Sequence, residues 1–243
     1  MEVWGLTDPG LVRDQNQDYF LLQKLGNHDL AAVVCDGMGG ARSGNIASRL
    51  AAEVFTEEVK RGYRAAMTQE QADFLIRTAV SIANTAVYEN AQLNQDMKGM
   101  GTTLVAVLVI GKRAYFANVG DSRGYLMNRH GVQRVTVDHS LVELMVQRGE
   151  MSSEMAKSYP GKNYITRAIG TEQTVDCDLY TAALRPGDCV LLCSDGLTNH
   201  LADQELLFEV IHGVNKQDCC QRLLAIAKER GAPDNVTAVL IAC

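Results

Sequence analysis

Apolar residues cluster in short bursts over 3–8, 19–25 and 30–36, each bounded by Gly, Asn or Asp, and this predicts three strands. Asn27-His28-Asp29 is a turn signal that makes the last two a hairpin. From Ser43 the period lengthens. Ile46, Ala47, Leu50, Ala51, Val54, Phe55 and Val59 recur at helical spacing, with Ser43 and Gly44 reading as the helix start and cap. A second helix is predicted over 68–95, with Phe74, Leu75, Ala79, Ile82, Ala83, Ala86 and Val87 on its apolar face. Strand patterns return over 102–110, 114–119, 123–128 and 132–135, punctuated by Gly111-Lys112 and Arg129-His130-Gly131. The stretch 141–159 is mixed and helical in patches, is broken by Pro160-Gly161, and reads as an insertion over a surface. Strands at 175–181 and 189–194, helices at 203–211 and 216–229, and a last strand at 235–242 complete the pattern. Strands in consecutive runs and helices in consecutive pairs favour antiparallel sheets with helices layered outside them. With no Pro-, Gly- or Ser-rich linker and no repeat, residues 1–243 read as a single domain.

Composition narrows the classes. A hydrophobic content of 47% and a charged content of 21% are ordinary for a globular chain. No apolar run is long enough to span a bilayer, and the first residues lack the basic-then-apolar order of a signal peptide. Seven cysteines, mostly inside apolar runs, suggest reduced, buried thiols in a cytosolic protein. Cys219-Cys220 is too closely spaced to chelate a metal by itself and reads as part of a core helix. A net charge of −6 without a basic cluster argues against nucleic-acid binding.

The chemistry lies in the acids. Leu30-Ala-Ala-Val-Val-Cys-Asp36-Gly37 and Cys189-Val-Leu-Leu-Cys-Ser-Asp195-Gly196 are apolar runs that stop at the same dipeptide. Asp121 in Gly120-Asp121-Ser122, Asp234 in Pro233-Asp234-Asn235 and Asp18 at the end of Arg13-Asp-Gln-Asn-Gln-Asp18 sit in similar settings. Any one of them alone reads first as turn chemistry. Five together shift the balance, because carboxylates about 4 Å apart repel by roughly 4 kcal/mol at an effective dielectric of 20. A divalent ion or raised pKa values relieve that repulsion. Oxygen-only donors suit Mg²⁺ or Mn²⁺, with the Gly37 carbonyl as a further ligand, whereas no Cys/His cluster suits zinc. Arg13 is either a solvated charge paired with Asp14 or a clamp on an oxyanion such as phosphate. With cations beside it, a phosphoester substrate is the economical inference, since two metals lower the pKa of a bridging water and neutralise phosphoryl oxygens. His139 and His200 read as structural histidines, and the methionines around 97–155 as packing. Neither a nucleophile elbow nor a P-loop occurs.

Taken in order, Arg13-x-x-Asn16-Gln17-Asp18, Asp36-Gly37-Met38-Gly39-Gly40, Gly101-Thr102-Thr103, Asn118-Val119-Gly120-Asp121-Ser122-Arg123, Ser194-Asp195-Gly196-Leu197 and Asp234-Asn235-Val236-Thr237 carry a family resemblance. The chain resembles the bacterial PP2C-type (PPM family) metal-dependent Ser/Thr protein phosphatases over nearly its whole length. The resemblance implies an α+β fold, a four-layer α-β-β-α sandwich of two antiparallel sheets flanked by helix pairs. It implies that Asp36 bridges two Mn²⁺ or Mg²⁺ ions, with Asp195 and Asp234 completing one site. Asp18 and the Gly37 carbonyl would serve the other, partly through water, and Asp121 with Asp195 a third, weaker ion. Arg13 would bind the substrate phosphate and Asn235 would orient its ligand neighbour. Segment 140–167 matches the family's variable flap beside the active site.

The implied activity is hydrolysis of phosphoserine and phosphothreonine in proteins by a metal-bridging water or hydroxide, with no phosphoenzyme. The implied partners are phosphorylated proteins and a cognate eukaryotic-like Ser/Thr kinase, with no nucleic acid and no membrane. The implied setting is a cytoplasmic monomer. Two departures stand out. Met38 occupies the place where many eukaryotic relatives carry a His that protonates the leaving group, a contribution of about 10²–10⁴-fold. Ala41 and Asn45 replace residues common in the bacterial loop, which is given no catalytic role.

Overall fold

The computed structural model describes residues 1–26, 28–39, 43–93 and 95–243. Asn27 of the predicted turn, Gly40 and Ala41 of the glycine loop, and Asn94 near the predicted end of the second helix lie outside the described residues. In chain order the strands and helices are β1 (Glu2–Asp8), β2 (Asp18–Lys24), β3 (Leu30–Met38), α1 (Gly44–Gly62), α2 (Gln69–Leu93), β4 (Gly101–Thr102), β5 (Leu104–Ile110), β6 (Arg113–Val119), β7 (Arg123–Asn128) and β8 (Gly131–Arg134). They continue with α3 (Leu141–Gln147), α4 (Ser153–Ser158), β9 (Asp178–Ala183), β10 (Cys189–Cys193), α5 (Asp195–Thr198), α6 (Asp203–His212), α7 (Cys219–Glu229) and β11 (Val236–Ala242).

Two antiparallel sheets form, one ordered β1-β11-β10-β7-β8 and the other β2-β3-β5-β6-β9, with β4 beside β3. Alternation along the strands sorts side chains into separate seams. Leu30, Ala32 and Val34 of β3 meet Val190, Leu192, Val239 and Ile241 between the sheets. The intervening Ala31, Val33 and Cys35 face Ala47, Ala51, Phe55 and Val59 of α1 and the apolar stripe of α2. On the other side Leu191, Cys193 and Leu240 pack on Leu206 and Val210 of α6 and Leu223 and Leu224 of α7. The result is the expected four-layer sandwich. Central strands are covered on both faces, so they read as unbroken apolar runs. Among the described residues no helix is long and apolar enough to cross a membrane.

Several expectations are corrected. Phe74, placed by periodicity on the apolar face of α2, is 74% exposed; the buried stripe keeps Leu75, Ala79, Ala83 and Val87 and takes in Ala72, Ile76 and Val80. Ser43 stands at the N-cap position of α1, yet its side chain makes no capping hydrogen bond. The strand expected over 102–110 breaks at Thr103. The strand expected over 175–181 starts only at Asp178, because α2 takes up the preceding carbonyls: Asn84 Nδ2 donates to the carbonyls of Glu172 and Gln173, and Arg77 Nη1 to that of Cys177. The helix expected from Lys216 starts at Cys219, after an Asx turn in which the Gln217 N–H donates to Asn215 Oδ1. All seven cysteines are free, and Cys219-Cys220 is buried in α7 as expected.

Candidate metal centre

All five acids lie at one end of the sandwich, because antiparallel neighbours bring the start of one strand beside the end of the next. In the sheet of β2 and β3, Asp18 opens β2 directly opposite Asp36 near the end of β3. In the sheet of β10, Cys193 at the end of β10 pairs with Arg123 and with Ala238. Continuing that register by two residues sets Asp195 level with Asp121 on one side and Val236, just past Asp234, on the other.

Each Asp-Gly dipeptide follows from close backbone approach. A Cβ on Gly37 would lie 2.1 Å from the Gly44 carbonyl oxygen and 2.7 Å from that of Gln17. A Cβ on Gly196 would lie 1.9 Å from the Asn235 carbonyl oxygen. Only glycine lets these strand ends press against the neighbouring segments.

Asp36 is held by its own backbone. Its N–H donates to Thr103 Oγ1 at 2.9 Å, and its carbonyl accepts from Thr102 Oγ1 at 2.8 Å and the Thr103 N–H at 2.9 Å. This explains the interruption between β4 and β5: Thr103 serves Asp36 instead of the ladder. The Thr103 hydroxyl also meets Ser122 Oγ at 2.7 Å, tying Asp36 to the loop that carries Asp121. That loop is clamped by His139, whose N–H donates to the Gly120 carbonyl and whose Nδ1 accepts the Gly120 N–H. Its Nε2 faces Asp178 Oδ2 at 3.1 Å, so His139 is structural, as read from the sequence. Asn199 Nδ2 donates to Asp195 Oδ2 at 3.0 Å.

Asp18 has the most telling surroundings. Its Oδ2 accepts two hydroxyls at 2.7 Å, from Ser194 and Thr237. Its Oδ1 is buried and has no hydrogen-bond partner among the described residues. Burial raises the Asp18 carboxyl to about 7; the two hydroxyls oppose the rise, and the charges of Asp195 and Asp234 add to it. Burial likewise pushes Asp36 well above the ordinary range, helped by Asp18, Asp195, Asp121 and Asp234. Asp121 rises to about 8 through burial and the fields of Asp195 and Asp138. Asp195 rises through burial and the field of Asp234, against the opposing hydrogen bond from Asn199. The five acids of the sequence pattern are thus one electrostatic unit.

The remaining candidates are at the edge. Arg13 Nη2 donates to Asp234 Oδ2 at 2.9 Å, so its partner is Asp234 and not Asp14. The pair is about half exposed, and the Arg13 guanidinium also senses Asp36 and Asp195. The Asn235 N–H donates to Asp234 Oδ1, but its side chain laces the loop between β1 and β2, binding the Pro9 and Gln15 carbonyls and the Gln17 N–H. The Gly37 carbonyl oxygen lies beside Gly44, 2.8 Å from where a side chain there would begin. Segment 140–167 forms α3 and α4 and is pinned at its base by a bridge between Ser140 and Ile165. A cleft of about 550 Å³ opens between Met38 and the end of this segment with the chain that follows it, lined by Ile165, Arg167, Thr171, Glu172 and Val175.

The atoms present suit a hard divalent cation. The donors are all oxygen, one carboxylate oxygen is buried without a donor among the described residues, and burial with mutual charge holds Asp18, Asp36, Asp121 and Asp195 above the usual range, where an ion would neutralise them. Among the described residues no three acidic, His or Cys side chains converge into a ready-made coordination group. The residues that motif reading passed over are Ser194, Thr237, Thr102, Thr103, Ser122 and Asn199. All but Asn199 stand inside the recognised motifs, and their adjacency to the acids was the available signal.

Comparison with known proteins agrees with this geometry. A protein-family model described as Protein phosphatase 2C matches residues 12–231. The chain is 34% identical over 235 residues to the serine/threonine phosphatase stp of Listeria monocytogenes serovar 1/2a, covering 97% of this chain and 93% of that one. It is 35% identical over 248 residues to the protein phosphatase PhpP of Streptococcus pneumoniae serotype 2, covering 99% and 97%. The crystal structure of the serine/threonine phosphatase Stp1 from Staphylococcus aureus superposes with a TM-score of 0.93 at 35% identity, covering 100% and 94%.

Proposed function

This chain belongs to the protein phosphatase 2C family, and from that premise we propose that its acidic cluster is the centre of a metal-dependent protein serine/threonine phosphatase. The substrates are phosphoproteins, and the reaction is hydrolysis of their phosphoserine and phosphothreonine monoesters. The observation that carries the reading is the buried, donor-free Oδ1 of Asp18 among carboxylates that burial and mutual charge hold above their usual pKa.

In this reading Asp36, Asp195 and Asp234 would hold one Mn²⁺ or Mg²⁺ ion. Asp36, Asp18 and the Gly37 carbonyl would hold a second, partly through water, and Asp121 with Asp195 would hold a third, weaker one. Bound there, such ions supply a water of lowered pKa and neutralise charge on the phosphoryl oxygens. Arg13 exchanges its pairing with Asp234 for the substrate phosphate and orients the phosphoryl group, a task its planar fork of donors suits. Water displaces the alkoxide directly, without a phosphoenzyme. Met38 carries no proton to give, so the departing oxygen takes one of the protons brought by the attacking water. The cleft beside Met38 gives the flanking substrate chain room on the side of the flap, 140–167.

Residues 1–243 act in this reading as one catalytic domain and as a monomer. A Ser/Thr protein kinase is the class of enzyme that supplies the substrate. Free, mostly buried thiols support a cytoplasmic setting. The test is phosphate release from a phosphothreonine peptide with Mn²⁺, with EDTA, and with Asp36→Asn and Arg13→Ala. Release should require Mn²⁺ and collapse in Asp36→Asn, and Arg13→Ala should raise KM. Full activity in EDTA would overturn the metal assignment, and turnover of aryl phosphate alone would overturn the protein substrate.

A further inference from the structure

One chain of hydrogen bonds crosses from the five-stranded sheet to Asp18, and each proton in it can be placed. Asn16 Oδ1 accepts the Asp18 N–H at 3.1 Å, which fixes the amide so that Nδ2 donates to Thr7 Oγ1 at 2.8 Å. Thr7 and Thr237 hydroxyls meet at 2.7 Å. Thr237 has one proton, and it goes to Asp18 Oδ2, so the proton between the two threonines belongs to Thr7. Ser194 donates its own proton to the same oxygen while its Oγ accepts the Thr237 N–H at 3.0 Å. Every hydroxyl therefore points one way, toward Oδ2.

Asp18, Ser194 and Thr237 are all buried, with Ser194 and Thr237 fully so. Two buried hydroxyls on one oxygen, and none on the other, leave the carboxylate a single orientation. Were the carboxyl to rotate, both hydroxyls would lose their acceptor inside the protein, at a cost typical of buried unpaired donors. The circuit also joins parts far apart in sequence: Asp18 lies 176 positions from Ser194 and 219 from Thr237. It therefore fixes how one sheet presents its acid to the acids of the other.

We propose that Thr237 and Ser194, braced by Thr7 and Asn16, are positioning residues that pin Asp18 Oδ2 and keep Oδ1 presented for the divalent cation. The inference rests on the metal reading above but assigns residues that reading leaves out. They touch neither substrate nor cation; they act through Asp18.

The test is a calorimetric Mn²⁺ titration of the parent, Thr237→Val, Thr237→Ser and Ser194→Ala, alongside melting of each in EDTA and in Mn²⁺. Valine keeps the shape and removes the hydroxyl; serine keeps the hydroxyl and trims the shape. Partners of metal ligands are typically worth 10–100-fold in metal affinity, so Thr237→Val should bind Mn²⁺ at least about tenfold more weakly and Thr237→Ser close to the parent. Ser194→Ala should weaken binding in the same direction, and it serves as the test if Thr237→Val does not fold. A packing role predicts the reverse order of the valine and serine variants. Parent-like affinity in Thr237→Val, or equal loss in the valine and serine variants, overturns the proposal alone. A parent that binds no Mn²⁺ overturns the metal reading and this proposal with it.

Discussion

Stripping divalent cations should make the stability of this protein fall as pH rises toward neutrality. The Asp18 carboxyl ionises at about 7 in the fold, against an ordinary value of 3.8, because burial removes it from water and Asp195 and Asp234 repel its charge. Between those values the folded chain keeps a proton that the unfolded chain has released. Stability then decreases with pH. The contribution is complete below the unfolded value, drains away as pH rises through the folded one, and is flat above it. One pKa unit is worth 1.36 kcal/mol, so ionising Asp18 in the metal-free fold costs about 4 kcal/mol, of which about 3 fall between pH 5 and 8. That is a large share of a typical 5–15 kcal/mol. Asp121, raised to about 8, carries the decline slightly higher, though it shares Asp195 with Asp18 and the two costs do not simply add. Urea unfolding in EDTA at steps from pH 5 to 9 measures this. The midpoint should drop by roughly 1–3 M, given slopes of about 1–3 kcal/mol/M. Mn²⁺ at pH 8 should restore it by binding the folded state, and Asp18→Asn should flatten the curve. A midpoint in EDTA that stays level or rises from pH 5 to 8 would refute the reasoning.

Two further changes probe the scaffold around the centre. Gly196→Ala places a methyl 1.9 Å from the Asn235 carbonyl oxygen; it should cost about 1–3 kcal/mol in thermal melting and lower phosphopeptide turnover, because Asp195 and Asp234 flank the contact. Asp138→Asn removes the carboxylate that binds Arg123 Nε at 3.0 Å and Nη2 at 2.7 Å. It leaves a mostly buried guanidinium without its counter-charge and should cost about 3–5 kcal/mol, read as a fall in Tm of roughly 10 °C.

The layers and the acids could be read from the chain because each is a local signal. Apolar runs such as 30–36 and 189–194 are strands covered on both faces, and their unbroken hydrophobicity follows from that double burial. Each run ends in Asp-Gly because the chain must there carry a charge and admit a neighbouring backbone at once. The outer face of α2 was misread at Phe74, because helical spacing fixes a stripe but not which edge of it meets the sheet. The break at Thr103 escaped notice too, since a β-branched residue fits a strand and only the position of Asp36 recruits its hydroxyl away from the ladder.

The sequence by itself determined how many carboxylates reach this end of the molecule and that oxygen chemistry would govern them, since residue type and strand ends are written locally. Tertiary structure alone decided which oxygen of Asp18 is occupied and which is bare. It also decided that Arg13 rests on Asp234 and that the charge of Asp195 bears on Asp36. Those outcomes depend on strand register and on pairs separated by more than a hundred positions, where a displacement of a few ångströms changes which donor meets which acceptor. Hydrogen bonds and buried charges are settled at that scale; apolar patterning is not.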